Sequence, residues 1–464
     1  MLSLDVYADR RAALAKHHSA PVLLMGCGER SRNLPMNKVP FRQDSTFLYY
    51  TGCGLPNAAA LFEDGRFTLF LPEAPDDDAL WHGHVHSLAE LGRRYGADTV
   101  LSASALEARI RTVRPTTLAI ADEGRNAWVS GILERPLRFG QHHGDTSLMD
   151  AVIEMRRVKS EVELSEMRRA AEFSGRAHRA VIQSTHPGGH ERSLTALFRA
   201  VLAMENCELG YDTILTQSGE VLHNHAHDAP LEAGRLLLCD GGGEVPSGYG
   251  ADITRTWPVS GHFSKRQRAV YDAVLAAQLA SIDKCVVGQR YLDVHMASCE
   301  VLTQFMIDEK IAVGSVEELL EKGAHALFFP HGIGHHLGMD VHDLENFGDR
   351  SSYPPNRGRP EQFGLCYLRL DLPLVADWVV TVEPGFYVAP AILQHAELRA
   401  SLGDCIRWDR LADWEGFGGI RIEDDIRITP GGPEVLSHAT PKSPDDIEAM
   451  VGTRPSPEDL LCGL

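Results

Sequence analysis

The chain has 464 residues, more than one hydrophobic core usually holds, so two domains are expected. Its 45 Lys and Arg against 64 Asp and Glu give a net charge of −19, which argues against a nucleic-acid or anionic-membrane partner and fits a soluble cytoplasmic enzyme. Nine cysteines with no Cys-x-x-Cys pair argue against a zinc knuckle or disulfide framework and predict free thiols in a reducing compartment.

The first residues carry charge where a signal peptide needs an apolar run, and no stretch approaches the roughly 20 apolar residues of a membrane helix, so an unexported protein is expected. Residues 4 to 17 read as an amphipathic helix and 21 to 26 as a buried strand. Ala58–Phe62 and Arg66–Leu71 read as a hairpin across Glu63-Asp64-Gly65, and helical segments at 86 to 96 and 103 to 112 complete an α/β domain over 1–155. Within it, His82, His84 and His86 alternate as if on one strand face, but with no nearby carboxylate they are expected to be a polar strand edge or a loop lip.

From Lys159 a long helix is predicted, with Ser160 as cap and Glu163 at the capping-box offset, and a second helix follows Pro187-Gly188-Gly189. The same unit recurs at 264 to 285 and 291 to 309. Helix, glycine turn, helix, then strands, twice over, predicts two related halves in a second domain over 156–464. A last helix starts at Ser443 and Pro444, and residues beyond about 452 are expected to be frayed.

The chemistry concentrates in Pro330-His331-Gly332-Ile333-Gly334-His335-His336 through Asp340-Val341-His342-Asp343, and in four acids at strand ends. Asp240 closes Leu236–Cys239, Asp252 opens Asp252-Ile253-Thr254, Glu383 closes Val379–Val382, and Glu423 follows Ile420-Arg421-Ile422. Buried carboxylates without counter-charge cost several kcal/mol each, so the economical partner is metal. Four carboxylates and the His335 imidazole balance two divalent ions, with Mn²⁺ the leading candidate and Co²⁺ or Zn²⁺ as alternatives, and a water between them becomes hydroxide near neutral pH. His336, His225 and His227 are expected to be satisfied or solvated side chains, and Gly241–Gly243 lacks the Lys-Ser/Thr of a phosphate loop.

The segments Asp240-Gly241-Gly242-Gly243, Gly250-Ala251-Asp252-Ile253-Thr254-Arg255-Thr256-Trp257, His331-Gly332-Ile333-Gly334-His335, Thr381-Val382-Glu383-Pro384-Gly385 and Gly419-Ile420-Arg421-Ile422-Glu423 resemble the motif set of the aminopeptidase P and prolidase family. These are Xaa-Pro metallopeptidases of pita-bread fold, an α+β architecture behind an N-terminal α/β domain, and Phe41-Arg42-Gln43-Asp44-Ser45 is similar to the family's N-terminal domain. The resemblance implies that Asp240 chelates one metal, that Asp252 and Glu423 bridge both, and that His335 and Glu383 complete the other. It further implies that Glu383 takes the proton of the bridging water, that His342 meets the tetrahedral oxygen, and that His331 and His223 contact substrate. Arg421 would orient Asp240 and Tyr387. A proline-containing peptide is the implied substrate and a dimer or tetramer the implied assembly.

Prolidases cut dipeptides, whereas aminopeptidases P trim longer peptides. Gly364–Arg369 resembles the segment that supplies eukaryotic-type prolidases with an arginine for the dipeptide carboxylate, so Arg369 tilts the reading toward a dipeptidase, with an aminopeptidase as alternative. Non-catalytic pita-bread modules, creatinase-like hydrolases and methionine aminopeptidases fit less well, because all five ligands and an N-terminal domain are present. Asp240 and Asp252 are one residue further apart than the family's usual spacing, which predicts a longer hairpin tip or a bulge at 245–248. Segments 344–378 and 391–414 are loop candidates for a lid or wall.

Overall fold

The computed structural model describes residues 2–75 and 77–461. The chain divides into two compact units, one of residues 1–156 with 344–351 and one of 157–343 with 352–464. The α+β class is as expected.

The first unit is built on a five-stranded mixed sheet. Its strands are β1 (Val22–Met25), β2 (Ala59–Glu63), β3 (Arg66–Leu71), β4 (Thr99–Ser102) and β5 (Thr116–Thr117), in the spatial order β4-β3-β2-β1-β5. The predicted hairpin is present, with Leu61 opposite Thr68 and a turn through Asp64 and Gly65, both left-handed. Leu23, Met25, Leu61 and Phe70 form its core with Ile110, Val129 and Ile132 from the helices. The predicted helices appear at Leu4–His17, Leu88–Tyr95 and Leu106–Val113. The histidine cluster is not a strand: His82 ends a short helix over Asp78–His82, and the exposed His84 and His86 lie in the segment before the next helix. A carboxylate does come near, because the helix starting at Leu88 carries Glu90 to 3.9 Å from His84 Nε2.

The second unit repeats itself. Helices Glu161–Gln183 and Glu191–Met204 form the first pair, and Lys265–Asp283 and Tyr291–Asp308 the second. Ser160 and Ser264 each open their pair with a capping box. The turns match atom for atom: left-handed Gly188 and Gly288 donate to Leu231 O and Leu374 O, both at 2.8 Å, and His190 and Arg290 bridge to Pro230 and Pro373. Each pair is followed by antiparallel strands.

In the first half the strands are β6 (Glu208–Leu209), β7 (Ile214–Thr216), β8 (Leu236–Asp240), β9 (Gly243–Glu244) and β10 (Thr254–Pro258), with β8 between β7 and β10. In the second they are β11 (Val379–Val382), β12 (Gly385–Tyr387), β13 (Gly419–Arg421), β14 (Asp424–Thr429) and β15 (Gly432–Val435), with β14 between β11 and β15. A bridge between Thr254 and Glu423 ties the halves together where the acids sit.

The tail differs from expectation, since Ser456 caps a short helix over Pro457–Leu461 through Asp459. The loop candidates carry short helices at Leu365–Tyr367, Pro390–Leu393, Ala396–Leu402 and Trp408–Trp414, and helical turns on either side of a kink at left-handed Gly348. The eight described cysteines are free thiols, and among the described residues no helix is long and apolar enough to cross a membrane.

Candidate metal centre

Four strand ends of the second unit converge on one buried point. Asp240 is the last residue of β8, Asp252 lies two residues before β10, Glu383 follows β11, and Glu423 links β13 to β14. The extra residue between Asp240 and Asp252 is absorbed away from the site. Val245 and Tyr249 close a hairpin tip, while Gly241 N–H to Ile253 O and the Asp240–Thr254 pairing hold the register. Asp252 therefore still faces inward.

The cluster of Asp252, His335 and Glu423 places one ligand atom from each within 4.8 Å of the others. His335 Nε2 is 3.5 Å from Asp252 Oδ2 and 3.9 Å from Glu383 Oε1. His335 Nδ1 lies 3.0 Å from His336 O, so Nδ1–H donates there and Nε2 faces the carboxylates, protonated toward Asp252 in the metal-free site and free to offer its lone pair to a cation. A ring nitrogen aimed at carboxylate oxygens is the arrangement a cation requires. Asp240 accepts from Arg421 Nη2 at 2.5 Å, and Thr254 Oγ1 donates to Glu423 Oε2 at 2.7 Å.

The electrostatics show how strongly the acids act on one another. Burial pushes Glu383 up to about 7 although His335 and Arg421 oppose it. Burial and the neighbouring acids drive Glu423 well above the ordinary carboxylate range, and burial raises Asp240 against Arg421. Burial acts on Asp252 too, but the His335 hydrogen bond and charge outweigh it and hold this acid low. Three buried acids and the partly buried Glu383 around one guanidinium and one imidazole need further positive charge, and divalent metal fits the donor set.

This gives a prediction with a definite sign. A carboxylate whose native pKa lies above its unfolded value stabilises the metal-free fold below the unfolded value, and that stability is lost as pH rises through about 7. Metal removes the loss. The Tm gain on adding Mn²⁺ to stripped protein is therefore expected to grow by several degrees from pH 5 to pH 8. A gain that is flat or shrinking over that interval would contradict the cluster.

Around the acids runs an ordered chain of hydrogen bonds. Arg421 Nη1 donates to the Tyr387 hydroxyl at 2.9 Å, and that hydroxyl donates to His331 Nε2 at 2.9 Å, because His331 Nδ1–H is engaged by Gly332 O at 2.8 Å. His342 stacks edge-on against His335 with ring centroids 4.4 Å apart. Its Nδ1 accepts from Arg369 Nη1 at 3.3 Å, which leaves Nε2 as its N–H. Arg369 is thus half-buried and reaches the site through His342. His223 is exposed, near enough to Arg421, Asp240 and Arg369 to feel their charges.

Sequence reading missed three contributors. The Tyr211 hydroxyl bonds both Asp240 Oδ1, at 2.5 Å, and Asp252 Oδ1. Thr254 holds Glu423, and the buried ion pair of Lys159 with Asp343, at 3.2 Å, anchors the loop that carries His335 and His342. Thr254 and Asp343 stand beside predicted site residues in the sequence, whereas Tyr211 and Lys159 stand in ordinary-looking surroundings. His336 is buried against Trp378, and both its ring nitrogens lack a hydrogen-bond partner among the described residues, so it is neither solvated nor satisfied as expected.

The pattern of metallopeptidase family M24 matches residues 165–430, and that of the aminopeptidase P N-terminal domain matches residues 7–117. The chain belongs to metallopeptidase family M24. Across 466 aligned residues it is 34% identical to a probable Xaa-Pro aminopeptidase of Ajellomyces dermatitidis, covering 94% of this chain and 96% of that one. Among solved structures it resembles the Pseudomonas aeruginosa aminopeptidase PepP, with TM-score 0.80 and 28% identity over 97% and 98% of the two chains. It also resembles zinc-substituted Escherichia coli aminopeptidase P in complex with product, with TM-score 0.79 and 27% identity over 98% and 99%. The resemblance to the aminopeptidase P family and the pita-bread fold are both borne out, and this M24 enzyme is a metallopeptidase.

Proposed function

We propose that this M24 enzyme is an Xaa-Pro aminopeptidase, releasing the first residue of peptides whose second residue is proline. The observation that carries the reading is the convergence of Asp240, Asp252, Glu383 and Glu423 with His335 in a chain whose full-length relatives are named Xaa-Pro aminopeptidases. The relatives favour this over the dipeptidase toward which Arg369 tilted the sequence reading.

We assign Asp240, Asp252, His335, Glu383 and Glu423 as the residues that would hold two divalent ions, with Mn²⁺ the leading candidate. When bound, the ions would acidify a water and polarise the scissile carbonyl. Glu383 is suited to take the proton of the attacking water and pass it to the proline nitrogen as the C–N bond breaks, since its carboxylate, 3.9 Å from His335 Nε2, faces the same cluster. His342 offers Nε2–H to the carbonyl oxygen as negative charge develops there. Burial lowers His342 to about 3, with His335 and Arg369 adding to the effect, so it stays a neutral donor at neutral pH. His331, held by the Tyr387 hydroxyl, lines the proline side, and the exposed His223 meets the substrate at the rim. Arg421 fixes Asp240 and Tyr387 at once.

The assignment treats residues 1–155 as the N-terminal domain and 156–464 as the catalytic domain. A cytoplasmic dimer or tetramer accompanies it on family resemblance. The paired substrates Ala-Pro-Ala and Ala-Pro test it. We expect Ala-Pro-Ala to yield Ala and Pro-Ala with kcat/KM at least about tenfold above that for Ala-Pro. Arg369→Met should lower kcat on the tripeptide about tenfold with little change in KM, because the arginine acts on His342. Cleavage of Ala-Pro alone would overturn the reading and make Arg369 the carboxylate fork of a dipeptidase.

A further inference from the structure

Beneath the His331 wall lies a second cluster that the peptidase chemistry does not use. His295 and Cys299 are one turn apart on the Tyr291–Asp308 helix, and His325 comes from the short helix over Ala324–Leu327. All three are buried. Their ligand atoms lie within 4.8 Å of one another, and Cys299 Sγ is 3.3 Å from His295 Nε2. The Phe329 ring separates them from the catalytic wall, with its centroid 5.2 Å from that of His295 and 4.9 Å from that of His331.

Hydrogen bonding does not account for the cluster. A thiol–imidazole contact uses one ring nitrogen of His295, while His295 Nδ1 and both nitrogens of His325 are buried and have no partner among the described residues. Close approach of the chain at left-handed Gly364, where a Cβ would lie 3.2 Å from His325 Nε2 and 2.7 Å from Ala326 Cβ, presses this imidazole into place. Burial keeps both histidines neutral, so their lone pairs are available at neutral pH.

We propose that His295, Cys299 and His325 form a binding site for one soft monovalent cation of the Cu⁺ type. Two imidazoles and one thiolate suit a three-coordinate d10 ion. Charge selects the monovalent ion: Cu⁺ replaces the thiol proton, which leaves to solvent, and the thiolate and cation cancel, whereas Zn²⁺ would leave a net positive charge in the core. No electron moves in this exchange.

The test uses full-length, Mn²⁺-loaded protein under anaerobic conditions, in a Cys27→Ser, Cys366→Ser, Cys405→Ser, Cys462→Ser background that removes the partly exposed thiols among the described residues and the one cysteine outside them. Cu⁺ is added and then challenged with a colorimetric Cu⁺ chelator. About one Cu⁺ per chain should be retained, and Cys299→Ser and His325→Gln should each lower retention at least about tenfold. Copper-edge X-ray absorption of the protein with His295, Cys299 and His325 intact should show one sulfur and two imidazole nitrogens, a readout that needs neither variant to fold. Complete loss of Cu⁺ to the chelator, equal retention by the variants, or a sulfur-only shell would overturn the proposal.

Discussion

Asp252→Asn is expected to lower kcat/KM on Ala-Pro-Ala by about 10³-fold or more and to reduce bound divalent metal in parallel. Asp252 stands at the centre of the cluster, 3.5 Å from His335 Nε2 and grouped with Glu423. The amide removes one negative charge and presents N–H where a ligand oxygen faced the cation. The fold should survive, because the backbone N–H of residue 252 donates to Asp425 Oδ1 at 3.1 Å whatever side chain is present. Kinetics and elemental analysis on the same sample check this. A loss under tenfold with metal content unchanged would remove Asp252 from the ligand set.

The largest stability effect is expected one strand position beyond Thr254. Arg255→Met should destabilise the second unit by about 3–5 kcal/mol, roughly ten degrees in Tm. Arg255 is completely buried and donates to Pro441 O, Thr254 O, Glu423 O and Thr440 O at 2.6–2.9 Å, and to Asp424 Oδ1 at 2.8 Å. Methionine fills comparable volume but leaves four carbonyls short of a donor. Asp424 keeps Lys442 at 2.7 Å and Ser437 at 2.6 Å, which limits the loss. Because Arg255 holds Glu423 O, metal affinity should fall as well. Thermal unfolding with and without Mn²⁺ separates the two effects, and a Tm within two degrees of the parent would show that the buried pair contributes little.

The second unit was legible in the sequence for a physical reason. Its halves repeat a helix pair closed by a left-handed glycine, and the proposed ligands sit where continuous buried runs such as Leu236–Cys239 and Val379–Val382 end in acids, so pattern and chemistry mark the same positions. The site's supporting residues left weaker traces. Tyr211 acts by reaching across from an irregular segment, and Lys159 pairs with Asp343 over 184 residues of sequence, contacts that no local periodicity encodes. The tail was misjudged because Pro and Ser read equally as a loop and as the start of a short helix. The His84–His86 segment is an exposed loop lip, one of the two forms expected, but its nearest carboxylate, Glu90, went unseen because it comes from the following helix. Arg369 shows the limit most clearly: its contact with His342 follows only from the fold.

The most direct measurement of the central claim is a metal titration of EDTA-stripped protein, with Ala-Pro-Ala hydrolysis and bound metal followed together. The stripped protein should be inactive, and activity should return as Mn²⁺ fills the cluster, reaching its plateau at about two ions per chain. Asp252→Asn should neither bind the full complement nor recover. Hydrolysis that persists in the stripped protein, or that returns with no ion retained, would contradict the assignment of the four carboxylates and His335 to a catalytic metal centre.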